Sequence, residues 1–451
     1  MKTLIGKITT LSLIVIGCTS KPTIKVPELS ETSSYEVPSH TIPIETALDN
    51  LDQFLKQTNP DTKSISYNAG DIISINSNRI KTRSSSMDEP LLYIVNFEDD
   101  NGYAILSADD RIPDDIIAIT SDGRISITDF EPYDSFMPGD DDDILEEQYN
   151  EMSAAGYIGS ESGNREIANL CLGYGECIAE LGNSNDSSIP DDDDFSSDEG
   201  SSEKYQWEIE KAVDFKVSTI WKQHSPFNDL CPYVGIKKQE QAPIGCVPLA
   251  VGQIVAYHRF PDITWNNVHI DFTELLTIQN LNHSGDTISN EAALMAKHFM
   301  NMLASGIGWD GVYGKFCNRA FGFALPGGAR KCFEALGYKN VELDWGYDES
   351  KVIETIDNDC PVFMSAIDGL IDGHAWVIDG YKKRKYVSSS GHVDKRQYLV
   401  HCNWGWGGCN NGYFSSGIFK TLSAVEFDFS NINTMNENYW HAFNTVTYEK
   451  F

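Results

Sequence analysis

A cysteine, a histidine and an asparagine that lie far apart in this chain have the side-chain types needed for nucleophilic catalysis. Cys246 lies near the middle of the 451 residues, and His374 and Asn403 follow far downstream. A thiol, an imidazole that accepts its proton and a polar group that orients the ring form a nucleophile, a base and an orienter. The pattern predicts thiol-based acyl chemistry at Cys246.

The residues around Cys246 predict a helix that begins at the thiol. Val247, Ala250, Val251 and Ile254 recur at helical spacing after it. The positive end of a helix dipole favours the thiolate and lowers the pKa of a thiol in the first turn. A buried structural cysteine at a helix start is the alternative.

His374 and Asn403 each lie at one end of a predicted buried strand. The two segments are 373–381 and 398–408, and both are rich in β-branched and aromatic residues. A single histidine on an apolar strand is more often an ordinary core residue. The combination with Cys246 and Asn403 favours a catalytic base.

Three short blocks resemble the active-site motifs of one family. They are Gly245-Cys246-Val247, the run from Gly373 to Gly380, and the run from Asn403 to Gly408. Together they resemble streptopain-type cysteine peptidases, which are papain-fold proteases made as zymogens. The resemblance covers most of residues 40–430. It implies an α+β chain, in which a papain-like cysteine protease fold follows a small α+β pro-domain.

The resemblance also implies roles for further residues. Gln223 lies in a Trp-x-Gln setting similar to that of the family, so its amide is expected to complete the oxyanion hole with the Cys246 amide. Gln241 and Gln253 are the rivals. Asn403 is the expected orienter of His374, although the Trp-rich block leaves open that an indole supports the ring. Trp404 and Trp406 are expected to form walls of the cleft.

Residues 41–137 predict a small domain with its own core. An amphipathic helix over 44–57 is followed by strands at 91–97 and 103–107, which flank the turn-forming run 99–102. The segment is similar to the streptopain pro-region. It is therefore expected to be an inhibitor of the attached peptidase domain, residues 205–451.

Residues 138–204 change in character and predict an acidic, flexible linker. Aspartate runs at 140–143 and 191–194 cannot contribute to a core. Cys171 and Cys177 are close enough in sequence to suggest a small disulfide loop. Exposed linkers concentrate proteolytic nicking, so maturation cleavage is expected between about 183 and 205.

The N-terminus has the pattern of a bacterial lipoprotein signal. A basic start and a short apolar run over residues 1–17 precede Cys18, which would be the lipidated residue. Residues 18–40 would then be a tether. The expected location is exported and anchored to a bacterial membrane through this lipid, with possible release of the mature form. An ordinary signal peptide is the alternative.

The composition of the chain argues against some classes of binding partner. A formal net charge of −33 argues against nucleic-acid phosphates as ligands. No cofactor is expected, and no metal, because a zinc set of His401, Cys402 and Cys409 lacks paired-ligand spacing. The expected function is an endopeptidase that hydrolyses protein or peptide substrates once its pro-domain is removed. The alternatives are a catalytically silent surface-binding protein of the same fold and an acyltransferase that uses the same site.

Overall fold

The computed structural model describes most of the chain from His40 onward. Cys18, on which the lipid-anchor expectation rests, lies outside the described residues. The described residues are 40–58, 66–76, 90–130, 163–183, 204–234, 240–278, 288–306, 312–316, 319–323, 326–368, 372–424 and 440–450.

A long antiparallel sheet dominates the described part of the chain. It has eleven strands, and the order along its main path is β1-β2-β3-β4-β16-β15-β14-β13-β17-β12, with β5 pairing with β14. Its strands are β1 Ile72–Asn76, β2 Pro90–Asn96, β3 Tyr103–Ser107, β4 Ile116–Thr120, β5 Tyr205–Val213, β12 Lys339–Trp345, β13 Val362–Asp368, β14 Asp372–Ser388, β15 Val393–Asn403, β16 Gly412–Ser415 and β17 Trp440–Glu449.

The first four strands and helix α1 (Ile44–Thr58) form the N-terminal unit. Ala47, Leu51 and Phe54 line the buried face of α1, at the spacing expected for one side of a helix. That face belongs to a core cluster with side chains of β2 and β3. The helix and the hairpin predicted from the sequence are confirmed.

The N-terminal unit continues directly into the sheet of the C-terminal part. Strand β4 pairs with β16, with Gly412 opposite Thr120 and Phe414 opposite Ala118. Arg384 on β14 reinforces the junction, since its guanidinium is hydrogen-bonded to Asp115 and stacks 4.1 Å from the centre of the Trp207 ring. The two units therefore share one sheet and one buried ion pair.

The C-terminal part packs helices on both faces of its strands. Its central helix, α3 (Cys246–His258), is predominantly apolar, and Val247 to Ala256 are buried without a break. The other elements are α4 Phe272–Leu275, α5 Asn290–Asn301, a π-helix Met302–Gly306, α6 Pro326–Leu336, α7 Glu349–Asp357, α8 Ser416–Ala424 and the hairpins β6 Tyr233–Val234 with β7 Glu240–Gln241, β8 Ile263–Trp265 with β9 Val268–Ile270, and β10 Val312–Phe316 with β11 Arg319–Phe323.

One segment of the expected linker is a helix instead. Helix α2 runs from Asn164 to Asn183, and Ile167, Leu170 and Tyr174 on its inner face are at most 1 % exposed. These positions recur at helical spacing, but acidic runs on both sides obscure the pattern in the sequence. The flexible-linker expectation is therefore wrong for residues 163–183. The acidic runs themselves lie outside the described residues.

The expected disulfide between Cys171 and Cys177 is also wrong. Both cysteines lie on α2, six residues apart. A rise of about 1.5 Å per residue separates their Cα atoms by about 9 Å along the axis, which exceeds the roughly 7 Å that a disulfide can bridge. Cys171 is a buried thiol in the core, and burial raises its pKa.

The fold class α+β is confirmed by this mixture of helices and antiparallel strands. The boundaries expected between the units stay predictions, apart from the linker correction. Among the residues that the structure describes, no helix is both long enough and apolar enough to cross a membrane.

Candidate active site

Cys246 is the first residue of α3, as its sequence context predicts. Gly245, immediately before it, has φ = 94°, a backbone conformation that favours glycine and turns the chain into the helix. The thiol is half-buried, whereas the following helical residues are buried. Cys246 is thus anchored on a rigid core helix at its positive end, a position that favours the thiolate.

His374 lies near the start of β14, and a main-chain carbonyl orients its ring. The Nε2 atom is 2.7 Å from the Trp404 carbonyl oxygen. A carbonyl can only accept, so Nε2 must donate the proton, and this leaves Nδ1 as the basic nitrogen of the neutral ring. The indole of Trp406 stacks on the imidazole at 4.7 Å between ring centres and 23° between planes.

The hydrogen bonds described for the Asn403 amide go to main-chain groups, and its expected direct role at His374 stays a prediction. Its Nδ2 donates to the Thr219 carbonyl at 2.6 Å, and its Oδ1 accepts from the Gly405 amide at 3.2 Å. The Gly405 amide belongs to the same peptide unit as the Trp404 carbonyl that binds His374. The hydrogen bond described for the ring thus comes from the Trp404 carbonyl, and Asn403 at the end of β15 holds the peptide unit that carries this carbonyl.

The two tryptophans expected as cleft walls occupy different environments. Trp404 is 0 % exposed and packs in the core, so it is not a wall in this form of the protein. Trp406 is half-buried and stacks on both Trp404 and His374. Trp406 therefore forms the aromatic surface beside the imidazole, and Trp404 contributes its carbonyl oxygen.

The loop after β15 lies against the first turn of α3. A Cβ atom added at Gly405 would lie 2.9 Å from the Leu249 side chain, which is one turn beyond Cys246. Gly405 is the next residue after Trp404, whose carbonyl binds His374. These contacts bring the helix that carries Cys246 and the loop that orients His374 together.

The segment 219–223 joins the same two loops through three main-chain carbonyls. Thr219 accepts from Asn403, Trp221 accepts from Gly407, and Gln223 accepts from Ile244. Alternate residues of one extended segment thus fix the His-orienting loop and the Cys-bearing loop. The Gln223 carbonyl is thereby hydrogen-bonded to Ile244, which lies two residues before Cys246 in the chain.

The structure distinguishes Gln223 from its rivals for the oxyanion role. Gln253 is 0 % exposed, and its Oε1 accepts from the Thr219 hydroxyl at 2.9 Å, beneath the site. Gln241 donates to the Cys231 carbonyl at 3.2 Å. Gln223 is half-buried at the surface of the Cys246 loop. Its catalytic role stays a prediction, and the contacts of its rivals favour it.

Burial lowers the pKa of His374 from its usual value near 6.5 to about 4, and the hydrogen bond to the Trp404 carbonyl opposes this shift. Stacked indoles replace water around the ring, which penalises the charged form. In this full-length form the imidazole is therefore neutral near pH 7, with its proton on Nε2.

The residues considered for zinc do not form a common site. His401 and Cys402 are neighbours on β15, so their side chains point to opposite faces. His401 Nδ1 is 2.6 Å from Asp379, and Cys402 lies in the core. Within the described residues, only His40, Asp109 and Asp110 come together with metal-ligand geometry, and these carboxylates already pair with Arg111 and His40.

Comparison with known proteins agrees with this arrangement. Residues 221–414 match the Peptidase C10 family, and residues 39–137 match the family described as Spi protease inhibitor. Residues 221–414 are thus similar to the Peptidase C10 family, and the resemblance inferred from the sequence is confirmed. The papain-like fold of this part and the inhibitor-like pro-domain before it are thereby confirmed.

The individual relatives are distant. Streptopain of Streptococcus pyogenes is 28 % identical over 249 residues, which cover 48 % of this chain and 57 % of the relative. The thiol protease/hemagglutinin PrtT of Porphyromonas gingivalis is 27 % identical over 213 residues, covering 43 % and 22 %. A prointerpain A fragment of Prevotella intermedia is similar in structure, with a TM-score of 0.49, 18 % identity and coverage of 81 % and 98 %. The chain thus spans little more than half the length of the streptopain sequences it matches.

Two contributors to the site are not visible in the sequence pattern. The Trp404 carbonyl acts through the main chain, which residue types do not reveal. Thr219 uses its carbonyl for Asn403 and its hydroxyl for Gln253. The signal for Thr219 is weak in sequence, since it requires knowing that 219–223 is an extended segment between two loops.

Proposed function

We propose that this chain is the zymogen of a cysteine endopeptidase. The observation that carries the proposal is the Nε2–carbonyl hydrogen bond between His374 and Trp404. This bond leaves Nδ1 basic in a site that packs against the helix beginning at Cys246. The match to the Peptidase C10 family supports the same chemistry.

The geometry supports a two-step hydrolysis. His374 Nδ1 takes the proton of the Cys246 thiol, and the sulfur attacks the carbonyl carbon of a peptide bond. The Cys246 amide and the Gln223 side chain donate to the oxyanion. Collapse breaks the C–N bond, and the amine leaves with the proton from Nδ1. Water then gives a proton to Nδ1 and its hydroxide to the acyl carbon, which releases the acid and restores the thiol.

The N-terminal unit is proposed to inhibit this site until the chain between the units is cut. Its match to the Spi protease inhibitor family and its shared sheet with the peptidase part support that role. Protein or peptide substrates and the chain's own pro-domain are thus the proposed partners. Export and lipid anchoring through Cys18 are a further part of the proposal, supported by the signal-like residues 1–17.

The decisive experiment compares the wild type with Cys246→Ala and with Cys332→Ala. Cys332 is a buried free thiol in the core of the peptidase part and serves as the matched control. Intact mass and casein cleavage are followed over time. We expect the wild type and Cys332→Ala to shed the N-terminal unit and digest casein, and Cys246→Ala to do neither. Casein cleavage by purified Cys246→Ala would refute the proposal.

The same samples separate hydrolysis from the other activities. An acyl-enzyme that prefers added amines over water would give amide products by mass spectrometry. A chain that stays inert after an added protease has cut residues 184–203 would be a binding protein. For the anchor, a labelled fatty acid fed to expressing bacteria should mark the wild type and leave Cys18→Ala unmarked.

A further inference from the structure

Helix α2 lies outside both family matches, between residues 137 and 221. It nonetheless occupies a central place in the molecule. Its inner residues, including Ile167 and Leu170, belong to the same core cluster as Leu91 of the N-terminal unit and Trp376 of the peptidase part. The helix therefore packs against both units, although neither family match includes it.

The N-terminal end of α2 contacts the active-site loop. Gly163 has φ = 66°, and a Cβ atom added to it would overlap the six-membered ring of Trp406. The backbone at 163 thus lies directly on the indole that stacks on His374. Only glycine fits here, since both the dihedral angle and the contact exclude a side chain.

A hydrogen-bonded asparagine pair ties the same loop to α2. Asn410 donates from Nδ2 to Asn164 Oδ1 at 3.0 Å, and its Oδ1 accepts from the Tyr103 hydroxyl of the N-terminal unit at 2.9 Å. Asn410 is 0 % exposed. Both ends of its amide therefore bond to parts of the chain that precede the peptidase part.

A second junction lies farther along the helix. The Asp114 carboxylate of the N-terminal unit accepts from the Tyr174 hydroxyl of α2 at 2.5 Å and from the Ser415 hydroxyl of the peptidase part at 2.6 Å. All three side chains are buried. One carboxylate oxygen thus connects the N-terminal unit, α2 and the peptidase part.

We propose that α2 is a second inhibitory element, which clamps the active-site loop 404–411 and covers the Trp406 side of the cleft. The surface on the peptidase part is an intramolecular docking site for this helix. Full activation then requires a cut after residue 183, so that α2 leaves. A cut before residue 163 leaves the clamp attached to the peptidase. This inference rests on the proposed peptidase function.

Variants in α2 and at Gly163, the residue before it, test the clamp without altering the mature enzyme. Gly163→Ala removes the fit on Trp406, and Tyr174→Phe removes a hydrogen bond to a buried carboxylate, a type of bond that contributes more than a neutral one. Each is expected to shorten the half-time of activation by about fivefold or more. Gly327→Ala is the matched control, because a Cβ atom added there meets nothing within 4 Å. Unchanged half-times for Gly163→Ala and Tyr174→Phe would overturn the proposal.

The position of the cut is tested in the full-length chain. A recognition sequence for a site-specific protease is inserted either at the 140–143 run or at the 191–194 run. After cutting and dilution, labelling of Cys246 by a thiol-directed epoxide is measured. We expect rapid labelling after the second cut and slow labelling after the first, with α2 still attached by mass. Equal labelling rates would refute the clamp.

A readout that needs no catalysis separates the two proposals. In Cys246→Ala, hydrogen exchange of the amides in 404–411 should accelerate after the 191–194 cut and stay slow after the 140–143 cut. If no cut yields activity but this exchange pattern appears, the clamp stands and the peptidase proposal falls. If activity appears and the exchange does not depend on the cut, the clamp falls alone.

Discussion

His374 Nε2 donates to the Trp404 carbonyl, and Asn403 holds the peptide unit that presents this oxygen. The asparagine therefore acts on the imidazole through one intervening amide plane. A peptide unit polarised at its N–H end by an acceptor is a better acceptor at its carbonyl, since hydrogen bonds in a chain strengthen one another. In this arrangement a main-chain carbonyl contacts the ring, and the Asn403 side chain positions that carbonyl.

The first prediction concerns this relay. Asn403→Ala removes a buried acceptor from Gly405 and a donor from Thr219, so both main-chain groups lose their partner. Each unsatisfied group costs about 1–3 kcal/mol, and the displaced carbonyl loosens His374. We expect kcat of the processed enzyme to fall by about tenfold or more, with little change in KM. Steady-state kinetics and a denaturant melt measure the two effects.

The control for that prediction is Asn358→Ala, at an asparagine that ends α7 through its main chain. It should leave kcat within about twofold of the wild type. If Asn403→Ala melts like the wild type and retains its kcat, the peptide relay is not used. A shift of the acidic limb of the kcat profile in Asn403→Ala would mark an effect on the imidazole rather than on folding alone.

The second prediction separates the two tryptophans of the loop. Trp406 stacks on His374 at the surface, whereas Trp404 is fully buried. Trp406→Ala should lower kcat/KM by about tenfold or more with a modest loss of stability. Trp404→Ala should destabilise the protein by about 3–5 kcal/mol, as cavity-forming changes of large aromatic residues do. Urea unfolding and casein cleavage measure both quantities, and equal stability losses would contradict the assignment.

The sequence can reveal site residues that act through their side chains. It cannot reveal residues that act through main-chain groups. Cys246 and the helix after it follow from apolar spacing, and the strand that carries His374 follows from its β-branched residues. The role of the Trp404 carbonyl does not, because any residue type supplies a carbonyl. The direct role expected of Asn403 stays a prediction, and the described hydrogen bonds of its amide go to main-chain groups, which residue types do not reveal.

The structure differs most from the sequence-based expectation at α2, where a helix takes the place of a flexible linker. Its apolar positions have helical spacing, but the composition of the surrounding acidic runs dominates the whole segment. Gly173 and Gly175 inside the helix also weaken its propensity. Tertiary packing compensates, since Gly175 lies where a Cβ atom would meet Leu91 at 3.2 Å. Local composition alone could not predict a helix that is stabilised by two other units.

The third prediction concerns the ion pair between the units. Arg384 is 1 % exposed and bonds to Asp115 of the N-terminal unit. Burial lowers the pKa of Arg384 to about 9, because desolvation penalises the charged guanidinium, and a buried charge that loses its partner is costly. Asp115→Asn should weaken docking of the N-terminal unit and speed activation by about tenfold or more. Asp115 is absent from a mature enzyme cut after 183, so mature activity should be unchanged.

The matched control for the ion pair is Asp110→Asn. Asp110 pairs with His40 at 2.8 Å, but both side chains are exposed by more than a third. Exposed pairs contribute about 0–1 kcal/mol, so activation of this variant should follow the wild type. Identical activation of the Asp115 and Asp110 variants would show that the Arg384 pair does not hold the units together.

The last prediction is a pH dependence of the full-length form. The pKa of His374 falls from 6.5 to about 4 on folding, so between these values the unfolded chain binds a proton that the folded chain does not. Stability is therefore fully present above pH 6.5 and is lost as the pH falls toward 4, by up to about 3 kcal/mol. His258, also with a pKa near 4, acts in the same direction. Urea unfolding of Cys246→Ala at pH 7 and pH 4.5 should show the loss, and adding His374→Gln should reduce it while His258 remains. The same pH slope in both variants would mean that His374 is already protonated in the folded form.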